Sequence, residues 1–188
     1  MSGQEKKQEF AQVVDDQYER IFRAALSVTG DRHIAEEIVQ ETFLSAFRRF
    51  DGFSGRSSVF TWLYRIMLNN YCRYCRRQSL LRRLGFVRTD ANPSHARNMV
   101  SRGLSPAAEL ANLEETELLR KAVNDLPPRL RVVVAMHYFD GLRLSDIARI
   151  LNCRLGTVKS RLFTARKRLC QTLQSKVEHR YADAVPKS

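Results

Sequence analysis

The side chains best suited to chemistry in this sequence are arranged for holding nucleic acid. Trp62, Arg65, Asn69, Arg73 and Arg76 recur at intervals of three and four residues, so on a helix they share one face. An indole and a carboxamide set among guanidiniums suit unpaired nucleic acid: rings stack on bases, amides bond to exposed base edges and arginines take the phosphates. Just upstream, Phe53, Ser54, Gly55, Arg56, Ser57 and Ser58 form a small segment able to wrap an extruded base. The plainer reading is a solvated arginine face, with Trp62 capping the end of a core.

A second basic constellation begins at Arg154. Read as a helix from about Leu155, the chain turns Val158, Leu162, Ala165 and Leu169 inward. Gly156, Thr157, Lys159, Ser160, Phe163, Thr164 and Lys167 then face outward, flanked by Arg161, Arg166 and Arg168. Such groups reach base edges and phosphates in a major groove. The preceding segment, Ser145 to Leu151, reads as a short helix that Ser145 caps, and Asn152 tolerates the left-handed backbone of a tight turn. Ala148, Asn152 and Val158 fall at the spacing of a helix-turn-helix, a pattern that any amphipathic helical hairpin imitates in part.

A third constellation is suited to protein rather than to DNA. From Ile34 to Phe50 the helical wheel gathers Ala35, Ile38, Val39, Phe43, Ala46 and Phe50 into a core stripe. The opposite face carries Glu36, Glu37, Gln40, Glu41 and Arg48, with Leu44 in their midst. An apolar anchor ringed by charge is a common construction for a protein interface. The alternative is that Leu44 packs on a neighbouring helix or is simply exposed.

Other reactive groups lack partners. Cys72 and Cys75 have the spacing of half a zinc site or of a redox pair. A complete zinc site needs two more ligands, with His95 and a neighbour the only candidates, and both thiols flank the tyrosine-bearing core stripe, which favours packing. His33, His137 and His179 show no partner pattern, and neither a catalytic triad nor a phosphate-cradling glycine loop is present. The expectation is a non-enzyme with no catalytic residue, no metal and no cofactor.

These groups require scaffolding, and the chain of 188 residues is long enough for one ordinary domain or two small ones. Hydrophobic residues make up 44%, which excludes wholesale disorder. The net charge of +12 points to a polyanionic partner. That charge is segregated. Gly52 to Thr89 holds eight arginines and no acid, and Gly141 to Cys170 holds eight basic residues against Asp146 alone. Asp31 to Asp51 and Ser105 to Asp125 lean acidic, so acidic and basic segments alternate twice, as two anion-binding surfaces require.

Helical spacing of apolar residues runs through Tyr18–Val28, Ile34–Phe50, Val59–Tyr74, Ala107–Asn124, Leu130–Tyr138, Ser145–Leu151 and Gly156–Leu173, with no competing strand pattern. Gln78 to Pro106 lacks a sustained apolar period and carries turn residues, so it reads as a linker. The predicted fold is all-α: two small helical domains, at 1–77 and 107–175, joined by a flexible linker at 78–106 and followed by a frayed tail at 176–188. No apolar run reaches membrane-spanning length, and the N-terminus lacks the apolar core of a signal peptide, so a cytoplasmic location is expected.

At these residues the sequence resembles the sigma-70 family of bacterial RNA polymerase initiation factors, in its two-domain extracytoplasmic-function (ECF) group. The resemblance is carried by Thr29-Gly-Asp-Arg-His-Ile-Ala-Glu-Glu-Ile-Val-Gln-Glu-Thr-Phe43, Phe53-Ser-Gly-Arg-Ser-Ser-Val-Phe-Thr-Trp-Leu-Tyr-Arg-Ile66, Leu126-Pro-Pro-Arg129 and Gly156-Thr-Val-Lys-Ser-Arg-Leu162. It implies that Glu37, Gln40, Glu41 and Leu44 dock on the clamp helices of the largest subunit of core RNA polymerase. It also implies that Phe53, Ser54, Arg56, Ser57, Ser58, Trp62, Arg65, Asn69, Arg73 and Arg76 capture and hold the melted −10 element. Arg154, Gly156, Thr157, Lys159, Ser160, Arg161, Phe163, Thr164, Arg166 and Lys167 would read the duplex −35 element. An anti-sigma factor is a further expected partner.

Arginines at 56 and 73, where relatives often carry acids, make the strand-binding surface more basic, which raises affinity more than selectivity. Arg154 replaces the serine or proline common before the recognition helix, losing a cap and adding a phosphate contact. The competing reading is a stand-alone helix-turn-helix regulator whose first domain is a dimerisation or sensor module. A non-specific RNA-binding or nuclease-associated protein is disfavoured by the lack of a catalytic constellation.

Overall fold

The structure, a computed structural model, describes the backbone of residues 3–84 and 116–184 and the side chains as far as Ser175. Most of the expected linker and the last residues of the expected tail lie outside the described residues. Within them every regular element is helical.

Three helices form the first module: α1 (Gly3–Thr29), α2 (Arg32–Arg49) and α3 (Val59–Arg83). Gly30, at φ +67°, ends α1 with its N–H on the Leu26 carbonyl at 2.8 Å, and Asp31 starts α2 by accepting the Ile34 N–H at 3.0 Å. After a 3₁₀ turn at Phe50–Gly52, Ser58 caps α3, its hydroxyl accepting the Thr61 N–H at 3.2 Å. The predicted core stripe of α2 is buried as read.

Two features of this module went unread. Helix α1 begins fifteen residues before Tyr18, because Phe10, Val13 and Val14 already carry helical spacing through a charged segment. Phe10 is buried, edge-on to Phe47 and Phe50 with ring centroids 5.2 Å away in each case, and Lys6 pairs with Asp51. The second feature is polar: Thr42 and Asn70 are buried together, Asn70 donating to the Thr42 hydroxyl at 3.3 Å while that hydroxyl bonds the Ile38 carbonyl at 2.6 Å. A buried amide and hydroxyl are tolerated because each meets a partner.

The second module holds α4 (residues 116–124), α5 (Pro128–Val134), α6 (Leu144–Ile150) and α7 (Leu155–Ala184). Pro128 occupies the first turn of α5, where a missing N–H costs nothing. The helix then widens into an i→i+5 turn over Ala135–Phe139, closed by the Asp140 N–H on the Ala135 carbonyl at 3.0 Å. Helix α6 starts at Leu144, one residue before the expected Ser145 cap. The Arg143 carbonyl accepts from Asp146 and Ile147, closing the first turn through backbone alone and leaving Ser145 inside it.

The modules are packed together, and their buried side chains form one continuous cluster, where the sequence suggested two separate cores. Helix α3 and the turn after α5 meet through Tyr64 and Asp140, and Gly30 lies so close to Asn124 that a Cβ there would fall 2.5 Å from the amide.

Candidate nucleic-acid interface

Three surfaces carry the residues singled out from the sequence. On α2, Glu37, Gln40 and Leu44 are exposed and Glu41 is half-buried, with the Ser45 hydroxyl 3.4 Å from its carboxylate. Leu44 is 54% exposed, so it anchors no neighbouring helix among the described residues. Tyr74 of α3 borders this row: burial, and then the Glu37 charge, push its hydroxyl above the ordinary tyrosine range.

On the second surface, the loop from Phe53 to Ser58 turns at Gly55, φ +68°, and exposes Ser54, Arg56 and Ser58, with Phe53 and Ser57 half-buried. Ser58 is already engaged as the α3 cap. Trp62 is a held ring rather than a free platform. Its centroid lies 4.8 Å from that of Phe53 and 6.4 Å from that of buried Phe50, so Phe53 and Trp62 form a half-buried aromatic pair over the core. Such packing holds both rings in place.

Along α3, Asn69, Arg73 and Arg76 are exposed as expected. Arg65 is not displayed with them. Its Nη2 donates to the Arg149 carbonyl at the end of α6 over 2.7 Å, and its Nε is buried with no hydrogen-bond partner. An unpaired buried donor costs ~1–3 kcal/mol, so this contact is incompletely satisfied.

The third surface is the helix-turn-helix. Ile147, Ala148 and Ile150 of α6 are buried against Val158, Leu162 and Ala165 of α7. Between them Asn152 takes the expected left-handed conformation at φ +48°, and the Cys153 N–H reaches back to the Ala148 carbonyl at 3.0 Å. Outward lie Arg154, Gly156, Lys159, Ser160, Phe163, Thr164, Arg166 and Lys167, with Thr157 and Arg161 half-buried. A Cβ on Gly156 would meet nothing within 4 Å, so the start of α7 is open to a close approach. Phe163 is 67% exposed in the middle of this basic face. The Ser160 and Thr164 hydroxyls bond back to the carbonyls of Thr157 and Ser160 at 3.0 and 2.9 Å, which leaves their lone pairs turned outward.

Cys72 and Cys75 are half-buried, and burial pushes both thiols up, away from the thiolate that metal binding or redox exchange requires. Among the described residues no group of three or more His, Cys, Asp and Glu side chains could hold a metal ion. His95 lies outside the described residues. No helix among the described residues is long and apolar enough to cross a membrane.

Sequence reasoning missed Tyr64 and Asp140. The Tyr64 ring is fully buried, and its hydroxyl donates to Asp140 Oδ2 at 2.5 Å. The available signal was the tyrosine itself, since a hydroxyl in a core needs an acceptor.

Two helical modules, the second ending in a helix-turn-helix with a basic outer face, have the architecture of a transcription initiation factor. Residues 13–80 match Sigma-70 region 2 and residues 116–169 match Sigma-70 region 4. The ECF RNA polymerase sigma-E factor of Escherichia coli strain K12 is 36% identical over 143 residues, 73% of each chain. The ECF RNA polymerase sigma factor SigW of Bacillus subtilis is 30% identical over 167 residues, covering 88% of this chain and 89% of SigW. Among solved structures, the sigma factor RpoE from Bartonella quintana, in complex with the anti-sigma factor NepR, superposes with a TM-score of 0.65 at 26% identity. That match covers 88% of this chain and 97% of RpoE. CnrH, in complex with the cytosolic domain of CnrY, shares the fold at a TM-score of 0.58 and 22% identity, over 90% of each chain. The chain belongs to the sigma-70 family, among the ECF RNA polymerase sigma factors. Sigma factors are not enzymes: they bind core RNA polymerase and direct promoter-specific initiation, and the stand-alone regulator is not the favoured reading.

Proposed function

We propose that the three surfaces divide the work of initiation. Glu37, Gln40, Glu41 and Leu44 dock on the clamp helices of the largest polymerase subunit, with Leu44 as anchor and the polar groups as rim. The Phe53–Ser58 loop and the Phe53–Trp62 pair take a base extruded from the −10 element, and Asn69 bonds its exposed edge. Arg56, Arg65, Arg73 and Arg76 hold the melted strand by its phosphates. Extruding a base costs a few kcal/mol, offset by stacking and by charge neutralisation along the strand. Helix α7 lies in the major groove of the −35 element, with Lys159, Arg166 and Lys167 on phosphates and Ser160, Phe163 and Thr164 toward base edges.

In this reading the chain makes and breaks no bond. It works in the cytoplasm, on the nucleoid when bound to polymerase, and an anti-sigma factor controls it. The solved structure of RpoE from Bartonella quintana in complex with the anti-sigma factor NepR supports that last element.

The observation that carries the proposal is Leu44, exposed on α2 in the midst of Glu37, Gln40 and Glu41. Leu44→Arg is expected to abolish co-purification with core polymerase while helicity and melting temperature stay at wild-type values. Undiminished co-purification would overturn the proposal.

A further inference from the structure

Tyrosines apart, only Thr29, Thr42 and Asn70 are polar and buried among the described residues. Thr29 serves the end of its own helix, its hydroxyl donating to the Ala25 carbonyl at 2.9 Å. Thr42 and Asn70 lie on different helices, α2 and α3, at 0% and 6% exposure. The Asn70 amide donates to the Thr42 hydroxyl at 3.3 Å, and that hydroxyl is oriented by its own bond to the Ile38 carbonyl at 2.6 Å. This is the one side-chain hydrogen bond between α2 and α3 among the described residues.

Apolar packing leaves a freedom that such a bond removes. At about 100° per residue, the buried side chains of Leu63, Tyr64, Ile66, Met67, Leu68 and Tyr71 spread over an arc of about 200° around α3. Burial rewards area without direction, so an arc that wide tolerates some rotation of the helix. Exposed Asn69 lies about 60° beyond the Ile66 edge of the arc. Turning α3 by about 20° displaces a side-chain tip by about 2 Å, enough to take an amide out of hydrogen-bond reach. Asn70 directly follows Asn69, and Thr42 stands between Glu41 and Leu44 of the α2 row.

We infer that Thr42 and Asn70 are positioning residues for strand capture: their hydrogen bond fixes the rotation of α3 on α2 and thereby aims the Asn69 amide at the edge of the extruded base. The inference rests on the reading of α2 as the docking helix and α3 as the strand-holding helix. Both residues act from within the core, through Asn69. A directional bond there suits the task. Replacing both partners by apolar groups of the same shape is close to neutral for stability, but nothing apolar replaces the direction. The stability of the module and the aim of Asn69 are therefore separable.

The test is a mutant cycle on holoenzyme assembled from core polymerase and the full chain. The probe is the promoter duplex that the wild type selects from a library randomised over the −10 and −35 elements. Open-complex affinity is measured for wild type, Thr42→Ser and Thr42→Val/Asn70→Leu, each with and without Asn69→Ala. Asn69→Ala is expected to weaken the open complex about tenfold in the wild type and in Thr42→Ser, which keeps the hydroxyl. In Thr42→Val/Asn70→Leu it is expected to cost less than about twofold, while co-purification with core polymerase is retained. An equal cost in all three backgrounds overturns the positioning role alone. If the double replacement does not fold, Thr42→Val, which removes only the hydroxyl, decides by the same comparison. If the wild type selects no promoter, or Asn69→Ala costs it nothing, the reading of α3 falls and the positioning role falls with it.

Discussion

The hydroxyl of Tyr64 in α3 donates to Oδ2 of Asp140 across 2.5 Å, joining positions 76 apart in the chain. The pair sits where the two modules meet, and it ties the buried face of α3 to the turn that leads into the helix-turn-helix. Burial holds the Asp140 carboxyl above its ordinary range, an effect that the hydrogen bonds from Tyr64 and Ser27 reduce.

Asp140 therefore makes the packing of the two modules sensitive to pH. A carboxyl whose folded pKa is raised binds its proton more readily when folded. Its contribution is full below the unfolded value and disappears as pH rises through the folded one. Acid favours the packed chain, and Asp140→Asn lacks this titration. The variant's urea midpoint, measured relative to the wild type, is expected to be higher near pH 7.5 than at about pH 3.5, below the unfolded carboxyl value. An offset independent of pH would show that Asp140 is solvated in the folded protein.

The basic face of α7 leads to a salt prediction. Lys167 is exposed there and is assigned to a phosphate. Lys167→Ala is expected to weaken holoenzyme binding to promoter duplexes of differing −35 sequence by a similar factor. It should also reduce the slope of log affinity against log salt by about 0.9. Weakening confined to one −35 sequence would place Lys167 on a base instead.

Phe10 supplies a stability prediction outside any binding surface. Its ring is buried against Phe43, Phe47 and Phe50. Phe10→Ala is expected to cost ~3–5 kcal/mol in chemical denaturation. A loss below about 1 kcal/mol would mean that the first turns of α1 contribute little to the packed bundle.

Much of the architecture was legible in the sequence because it is written in local periodicity. The α2 core stripe, the left-handed Asn152 and the inward set Val158, Leu162 and Ala165 all follow from helical spacing and the chemistry of one turn. The start of α1 was hidden because Phe10, Val13 and Val14 are sparse among lysines and glutamates, and their burial depends on α2 supplying the opposing rings. Position on a wheel placed Arg65 with Asn69 and Arg73, but its environment is set by α6, which no local pattern couples to it. Of the two readings of Trp62, the cap over the core is the one observed, because the tight turn through Phe50–Gly52 brings Phe53 back onto the indole. For Phe10 and Arg65 the missing information was a partner distant in sequence.

Gly30 has a consequence of its own. Its φ of +67° is costly for a side chain, and a single methyl group there would strike the amide of Asn124. Alanine at position 30 would therefore carry two burdens at once, a left-handed backbone that suits no side chain and a displaced Asn124 amide across the seam. The join between the halves thus depends on the bareness of one turn.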